Sequence, residues 1–176
     1  MKQNTSITKK ERTLRIISLA ITVAIMVLIF AQSAMPDYLS TEESNIIVVL
    51  ITNIIEKTGK TVSNEELLQF IVRKTAHFTE YAAFGASLFA TAGAFLGRKL
   101  HLRILFFIAW ATGTLYAVTD EIHQLFVPGR YGQWTDVAID AAGVALGALI
   151  CLLFLGRRTE KNAIRKDGEA PSPNCE

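Results

Sequence analysis

The sequence predicts an all-α, polytopic membrane protein: a bundle of four transmembrane helices with an amphipathic helix at the membrane interface. Hydrophobic residues make up 51% of the 176-residue chain, and its mean hydropathy is positive at +0.32. They are concentrated in four runs of about 20 residues, the length of helix that crosses the hydrocarbon core of a bilayer. The four predicted transmembrane helices are 16–35, 78–97, 104–123 and 137–156.

The composition argues against two other classes of protein. The formal net charge of +2 is too small to indicate a nucleic-acid partner, and the basic residues occur in short clusters between the apolar runs. There are two cysteines, Cys151 in an apolar run and Cys175 in the polar tail, and they indicate neither a disulfide framework nor a thiolate metal site.

The first apolar run has two interpretations, because basic residues precede it as they would precede a secretory signal peptide. Its apolar core is longer than the roughly 7–15 residues of a signal peptide's hydrophobic region. We therefore interpret 16–35 as a retained transmembrane anchor rather than a cleaved segment.

The distribution of Lys and Arg predicts the orientation, since basic residues concentrate on the cytoplasmic side of a membrane. Thirteen of the 18 Lys and Arg residues lie in the N-terminal flank, in the loop between the second and third helices, or in the C-terminal flank. Both termini are therefore expected in the cytoplasm, and the chain is expected to cross the plasma membrane several times.

The segment 44–57 between the first two transmembrane helices has apolar residues at helical spacing and polar residues opposite them. It is too short to span, so we expect it to lie flat in the outer interface or to cap the bundle. Ser63 and Glu66 have the spacing of a capping box, which predicts that the next helix begins near Asn64.

These patterns divide the chain into nine segments. They are a cytoplasmic basic flank 1–15, transmembrane helix 16–35, an outer loop 36–63 containing helix 44–57, a helix 64–97 whose membrane part is about 78–97, a cytoplasmic loop 98–103, transmembrane helix 104–123, an outer loop 124–136, transmembrane helix 137–156, and a cytoplasmic tail 157–176 that is predicted to be partly disordered.

The ionisable residues converge at one depth. Counting about 20 residues outward from the cytoplasmic boundaries Arg98, Arg103 and Arg157 reaches the outer edge of three different helices. Ionisable residues at membrane depth are costly, so their default interpretation is a functional site. The predicted polar cluster consists of Arg73, Lys74, His77, Glu80, Tyr81, Asp120, Glu121, His123, Gln124, Arg130, Asp136 and Asp140.

Some of these residues also have a purely structural interpretation. Asp136 falls in the first turn of a helix, where a carboxylate is favoured by the helix dipole. Arg73 and Lys74 lie at headgroup level and could simply extend into solvent. Pro128 and Gly129 fit the central positions of a type II turn, after which Arg130 is placed to fold back over the carboxylates.

Three sequence segments resemble the VanZ-like family of bacterial membrane proteins: Arg73-Lys-Thr-Ala-His-Phe-Thr-Glu-Tyr81, Asp120-Glu-Ile-His-Gln-Leu-Phe-Val-Pro-Gly-Arg130, and Asp136-Val-Ala-Ile-Asp-Ala-Ala-Gly143. The resemblance implies an association with low-level resistance to teicoplanin, and no assigned reaction. Asp140 stands where the family more usually has Asn. The functional positions that the resemblance implies are Lys74, His77, Tyr81, Glu121, Gln124, Arg130 and Asp136.

Three functional classes remain open. The first is a non-catalytic envelope protein whose arginines bind a lipid headgroup, a cell-wall precursor or the lipoglycopeptide itself. The second is an intramembrane, metal-dependent hydrolase or transferase acting on an outer-leaflet lipid or lipid-linked cell-wall precursor, although the sequence requires no cofactor and contains no metalloprotease or nucleophile-elbow motif. Its candidate metal ligands are His77, Glu80, Glu121 and His123.

A transporter is the third class and the least favoured, because transport sites usually lie near the middle of the bilayer and this cluster lies near its outer edge. The expected partners are the bilayer and a second copy of the chain. Stripes of small residues are expected to let the helices of the bundle approach closely, and a homo-oligomer could form through the same stripes. These stripes are Ala82, Ala86, Ala90 and Ala94 on one helix and Gly143 and Gly147 on another.

Overall fold

The computed structural model describes residues 7–97 and 99–168, and for residues 39, 43 and 156–168 it describes the backbone alone. All the regular secondary structure in these residues is helical, which confirms the predicted all-α class. The helices are α1 (Lys9–Ser33), α2 (Asp37–Glu56), α3 (Glu65–Leu96), α4 (Leu102–Gln124) and α5 (Trp134–Gly168). The end of the predicted disordered tail, 169–176, lies outside the described residues.

Three of the helices are long and apolar enough to cross a membrane: α1, α4 and the Trp134–Leu155 part of α5. Helix α3 is not among them: charged residues occupy its first turns, and polar residues such as Glu80, Ser87 and Thr91 interrupt its apolar part. The crossing of the membrane by α3, and with it the four-helix transmembrane bundle, stays a prediction.

Helix α3 is the centre of the fold and contacts all four other helices, α5 most extensively. A buried cluster brings together residues from four helices around Tyr81 and Phe84 of α3, namely Ile29, Ala117 and Val144. A second cluster lies farther along α3 around Phe89. A helix surrounded on several sides can be built from small residues, since its neighbours rather than lipid cover it.

The packing of α3 against α5 is close enough for backbone contact. A Cβ atom added at Gly147 would collide with the carbonyl oxygen of Ala82, and one added at Gly143 would lie 2.6 Å from the carbonyl oxygen of Phe78. Glycine therefore lets the two backbones touch. The predicted small-residue faces thus pack against each other within one chain around Ala82, Gly143 and Gly147. A homo-oligomer would therefore have to form through a different surface.

One N-cap and one helix start differ from the sequence-based expectation, although α3 begins next to Asn64 as predicted. The N-cap of α3 is Asn64, whose side chain accepts a hydrogen bond of 2.9 Å from the Leu67 backbone N–H, and the expected Ser63–Glu66 capping box does not form. Asn and Ser cap helices about equally well, so neighbouring candidates compete. Helix α2 begins at Asp37, seven residues before the predicted segment 44–57, directly after Pro36.

Candidate functional site

One cleft at the end of the bundle gathers most of the predicted polar cluster. Its cavity has a volume of about 340 Å³ and lies between α3, α4, α5 and the loop that joins the last two helices. Eight of the twelve predicted residues line it: Arg73, Lys74, His77, Glu121, Gln124, Arg130, Asp136 and Asp140. The volume falls in the lower part of the range of about 300–1,000 Å³ that is usual for small-molecule sites.

Two ion pairs occupy the α3 side of the cleft. Arg73 Nη2 lies 2.7 Å from Asp37 Oδ1, which ties the start of α2 to α3. Lys74 Nζ pairs with Asp136 Oδ2 and so joins α3 to the first turn of α5. Because Arg73 and Lys74 are consecutive residues of one helix, they diverge towards different partners, and each cation is neutralised by a different helix.

Arg130 uses its guanidinium differently from the sequence-based expectation. Its Nε and Nη2 atoms donate to the backbone oxygens of Met35 and Gln32, at 3.0 and 3.1 Å, rather than to carboxylates. These carbonyls lie at the C-terminal end of α1, where a helix carries partial negative charge. The turn that delivers Arg130 has the expected geometry, with φ of +79° at Gly129 and a 3.1 Å hydrogen bond from Arg130 N to Val127 O.

Arg130 and His77 lie close enough to influence one another. Burial lowers the pKa of the Arg130 guanidinium, and the nearby positive charge of Arg73 lowers it further. Burial also lowers the pKa of His77, which immediately precedes the predicted membrane part of α3, and the charge of Arg130 acts in the same direction. His77 is therefore neutral at pH 7 and can both donate and accept a hydrogen bond.

The α4–α5 side of the cleft is acidic. Glu121 Oε2 accepts a 2.9 Å hydrogen bond from the backbone N–H of Gln133, which holds the connecting loop against α4. Asp140 lies one helical turn beyond Asp136 on the same face of α5 and is only 2% exposed. Its side chain has no hydrogen-bond or ion-pair partner among the described residues, although it lines the cavity.

Asp120 and Gln124 lie one turn apart on α4 and form a buried hydrogen-bonded group with α1. The Ser33 hydroxyl donates to Asp120 Oδ2 at 2.7 Å, and Gln124 Nε2 donates to the same carboxylate oxygen at 3.3 Å. Asp120 is 3% exposed and lines neither of the cavities described, so Asp120 and Ser33 join two helices behind the cleft, while Gln124 also lines the cleft.

Three further predicted residues lie outside the main cleft. Glu80 lines a second cavity of about 200 Å³, which shares Arg73, His77 and Arg130 with the first. Tyr81 is fully buried in the aromatic core next to Phe84. His123 stacks on Phe30 of α1, with 4.6 Å between ring centroids.

The candidate metal ligands do not assemble. Within 7–97 and 99–168, no group of three or more His, Cys, Asp or Glu residues is arranged to hold a metal ion. Of the four candidates, Glu121 lines the main cleft, Glu80 the second cavity, His77 both, and His123 neither. They are separated because helix rotation, which the linear spacing does not reveal, turns their side chains in different directions.

Asp37 is the main site residue that the sequence analysis missed. It pairs with Arg73, and its backbone N–H donates to Pro128 O at 3.3 Å, so it also anchors the α4–α5 loop. A signal was present: counting about 20 residues outward from the basic boundary at Arg15 reaches Met35, at the depth where the other acids lie. Gln69, Phe70 and Gln133 also line the cleft and have no comparable signal.

An all-helical chain with three helices able to span a bilayer and a charged cleft at one end of the bundle is an integral membrane protein of the helical class. The family model described as VanZ/LLP1 matches residues 18–155, and the chain belongs to that family. No curated protein and no solved structure gives a significant match.

The family match confirms the resemblance found in the three sequence segments, all of which fall inside 18–155. Six of the seven positions that the resemblance implies line the same cavity, and the seventh, Tyr81, lies buried behind it. The six are Lys74, His77, Glu121, Gln124, Arg130 and Asp136.

Proposed function

We propose that the chain is a multi-pass protein of the bacterial plasma membrane that binds the polar headgroup of a lipid or lipid-linked cell-wall precursor at the outer face. In this role it contributes to cell-envelope function and to protection against teicoplanin. The observation that carries the proposal is the cleft of about 340 Å³, which is lined by charged residues from one loop and four helices.

The proposed topology has four crossings and both termini in the cytoplasm. It follows from the thirteen basic residues of the flanks and of the loop between α3 and α4. Helix α3 provides the fourth crossing, because its neighbours α1, α4 and α5 shield its small and polar residues from lipid. The cleft then lies at the outer face, where teicoplanin and the lipid-linked precursors are accessible.

The anion-binding capacity of the proposed site comes from Arg130 and Arg73. Guanidinium groups suit phosphate and carboxylate because their donors form a planar fork. Arg130 uses Nε and Nη2 to hold the end of α1, and it has no carboxylate partner among the described residues. It is therefore the cation most available to a ligand's negative group.

A metal-dependent hydrolase or transferase was the alternative in the sequence analysis. It requires several ligands around one ion, and the four candidate ligands are divided between two cavities and a stacked ring in the described part of the chain. A binding protein requires only the charged cleft, so binding is the function we propose.

The test is teicoplanin susceptibility in a susceptible host, with vancomycin as the comparison drug. The host expresses wild type, the paired variant Glu121→Gln, Arg130→Ala, or a matched control, at equal membrane levels. The control is Glu42→Gln, Lys57→Ala, which makes the same charge changes at two exposed positions that line neither cavity. We expect wild type and control to protect and the cleft variant to lose protection.

Protection by the cleft variant equal to wild type would contradict a role for the cleft. Absence of protection by wild type would contradict the role in teicoplanin resistance. Since Arg130 also holds the end of α1, the single variant Glu121→Gln is tested in parallel. Its side chain still accepts the hydrogen bond from Gln133, so its loss of protection reports the charge rather than the fold.

A further inference from the structure

The charges that line the cleft do not balance. Five acids and three basic residues line the cavity, so its lining carries an excess of two negative charges when all five acids are ionised and His77 is neutral. The acids are Asp37, Glu66, Glu121, Asp136 and Asp140, and the basic residues are Arg73, Lys74 and Arg130. A ligand carrying only negative charge would add to that excess, so the cleft as a whole favours a ligand that also carries a cation.

The excess is localised on the α4–α5 side. Arg73 and Lys74 neutralise Asp37 and Asp136, and Glu66 is exposed at the first turn of α3. The carboxylates left over are those of Glu121 and Asp140, which are 7% and 2% exposed. These two groups are therefore largely withdrawn from bulk water without a cationic partner of their own.

Asp140 points to a ligand more directly than the acidic side as a whole. It lines the cavity, is almost completely buried, and forms no hydrogen bond or ion pair with the described residues. A carboxylate withdrawn from water is stable in its charged form only when a cation or hydrogen-bond donors accompany it. The structure leaves space beside this carboxylate, and a cationic group in the cleft would satisfy it.

A primary ammonium fits these acceptors better than a metal ion. The described residues provide no group of three His, Cys, Asp or Glu side chains that could surround a metal. An ammonium has three N–H donors and needs acceptors at ordinary hydrogen-bond distances only. Carboxylates of Glu121 and Asp140 supply such acceptors from two different helices, while Arg130 provides a positive group elsewhere in the same cavity.

We infer that Glu121 and Asp140 form an ammonium subsite in the cleft, and that the ligand is a zwitterionic lipid headgroup in which a primary amine is joined to a phosphate. The inference rests on the proposed function, because it assumes that Arg130 binds the phosphate of the same headgroup. Ethanolamine phosphate is the simplest headgroup of this chemical class.

The experiment measures lipid binding by the purified full chain in detergent micelles with isothermal titration calorimetry. Short-chain phosphatidylethanolamine is compared with phosphatidylglycerol of the same acyl chains, which has the phosphate and lacks the amine. We expect wild type to bind phosphatidylethanolamine at least about tenfold more tightly, since a charged hydrogen bond contributes about 1.5–3 kcal/mol and 1.4 kcal/mol is a factor of ten.

The variants Asp140→Asn and Glu121→Gln keep the shape of each side chain and remove its charge. Each should weaken binding of phosphatidylethanolamine about tenfold and leave phosphatidylglycerol unchanged or bound more tightly, because a repulsive charge has been removed. The exposed control Glu42→Gln should bind both lipids as wild type does. Equal binding of the two lipids by wild type, or a parallel change for both lipids in the acid variants, would overturn the ammonium subsite.

Two further variants distinguish a failure of the ammonium subsite from a failure of the proposed headgroup binding on which it rests. Arg130→Gln and, independently, Arg73→Gln should weaken the binding of both lipids to a similar degree, because both lipids carry the phosphate that these arginines are proposed to bind. If they do so while the acid variants have no selective effect, headgroup binding stands and the ammonium subsite fails. If no binding of either lipid depends on Arg130 or Arg73, both the proposed headgroup site and the inference fail.

Glycerophosphoethanolamine, which has the same polar group without acyl chains, identifies the source of the ligand. We expect it to bind at least about tenfold more weakly than the lipid, because it lacks the acyl chains whose apolar surface the lipid buries. Binding as tight as that of the lipid would overturn a lipid as the ligand and indicate a soluble amine phosphate.

Discussion

Helices α3 and α5 meet in two different ways along one interface. Around Ala82 and Gly147 their backbones touch, because glycine leaves no Cβ between them. Around Lys74, Asp136 and Asp140 the same two helices carry long or charged side chains, and between them lies the cleft of about 340 Å³. The half of the interface around Ala82 and Gly147, the tight half, needs no water to fill it. The half around the cleft, the open half, must supply partners for its charged side chains. The close contact thus holds in register the helices whose ends form the site.

The largest expected effect comes from disturbing the tight half. Gly147→Ala should destabilise the fold by at least about 2 kcal/mol, because the new Cβ meets backbone atoms of Ala82 that cannot move independently. Gly93→Ala is the matched control: it lies on α3 and nothing is within 4 Å of its added Cβ. It should stabilise by about 0.5–1 kcal/mol, as alanine does in helices.

The two variants are compared by apparent melting temperature in detergent micelles. A similar response at Gly147 and Gly93 would mean that the close backbone contact is unimportant for stability, and the contrast between the two halves would lose its physical basis.

The buried group behind the cleft should give the next largest effect. Ser33→Ala removes a 2.7 Å hydrogen bond to the buried Asp120 carboxylate, and hydrogen bonds to charged groups contribute about 1.5–3 kcal/mol. Ser87→Ala is the control, since its hydroxyl bonds only to Phe84 O of its own helix. We expect a fall in melting temperature for Ser33→Ala alone, and equal effects at both serines would refute a specific α1–α4 link.

A pH-dependent effect should follow from His77. Its pKa is lowered below the ordinary value of 6.5 by burial and by Arg130, so the unfolded chain binds more protons than the folded chain near and below that value. Stability contributed by neutral His77 is therefore present above pH 6.5 and is lost as the pH falls through the folded-state pKa.

Thermal melting between pH 7.5 and 5 tests this expectation, with His77→Gln as the variant that cannot titrate. The loss of stability on acidification should be smaller in the variant than in wild type. An identical pH dependence would show that His77 does not couple protonation to folding.

The smallest effect is expected at the outer ion pair. The Asp37 and Arg73 side chains are 40% and 29% exposed, and partly exposed pairs contribute only about 0.2–1 kcal/mol. Asp37→Asn should lower the melting temperature slightly, and less at high salt, where the pair is screened. A fall in melting temperature larger than that caused by Ser33→Ala would mean that this partly exposed ion pair stabilises the fold as strongly as the buried hydrogen bond does.

Much of the architecture could be read from the chain because it depends on local rules. Apolar runs of membrane length predicted α1, α4 and the first part of α5, and a count of residues from each basic boundary placed ionisable residues of three helices at one level. Spacing along each helix also placed Asp136 and Asp140 on a common face, which lines the cleft. These properties need no knowledge of neighbouring helices.

Only the tertiary structure shows which groups the charged side chains interact with. The sequence placed Arg130 above the carboxylates, whereas the fold brings the end of α1 to it and satisfies its guanidinium with the carbonyls of Gln32 and Met35. His123 shares a sequence segment with Glu121, yet the rotation of α4 directs it onto Phe30 and away from the cleft. The sequence alone therefore predicted most of the helices and the alignment of their ionisable residues, because these follow from local periodicity and from residue counts along each helix. Only the packing of α1, α4 and α5 around α3 decided which charges meet, because helix rotation depends on contacts between residues far apart in the chain.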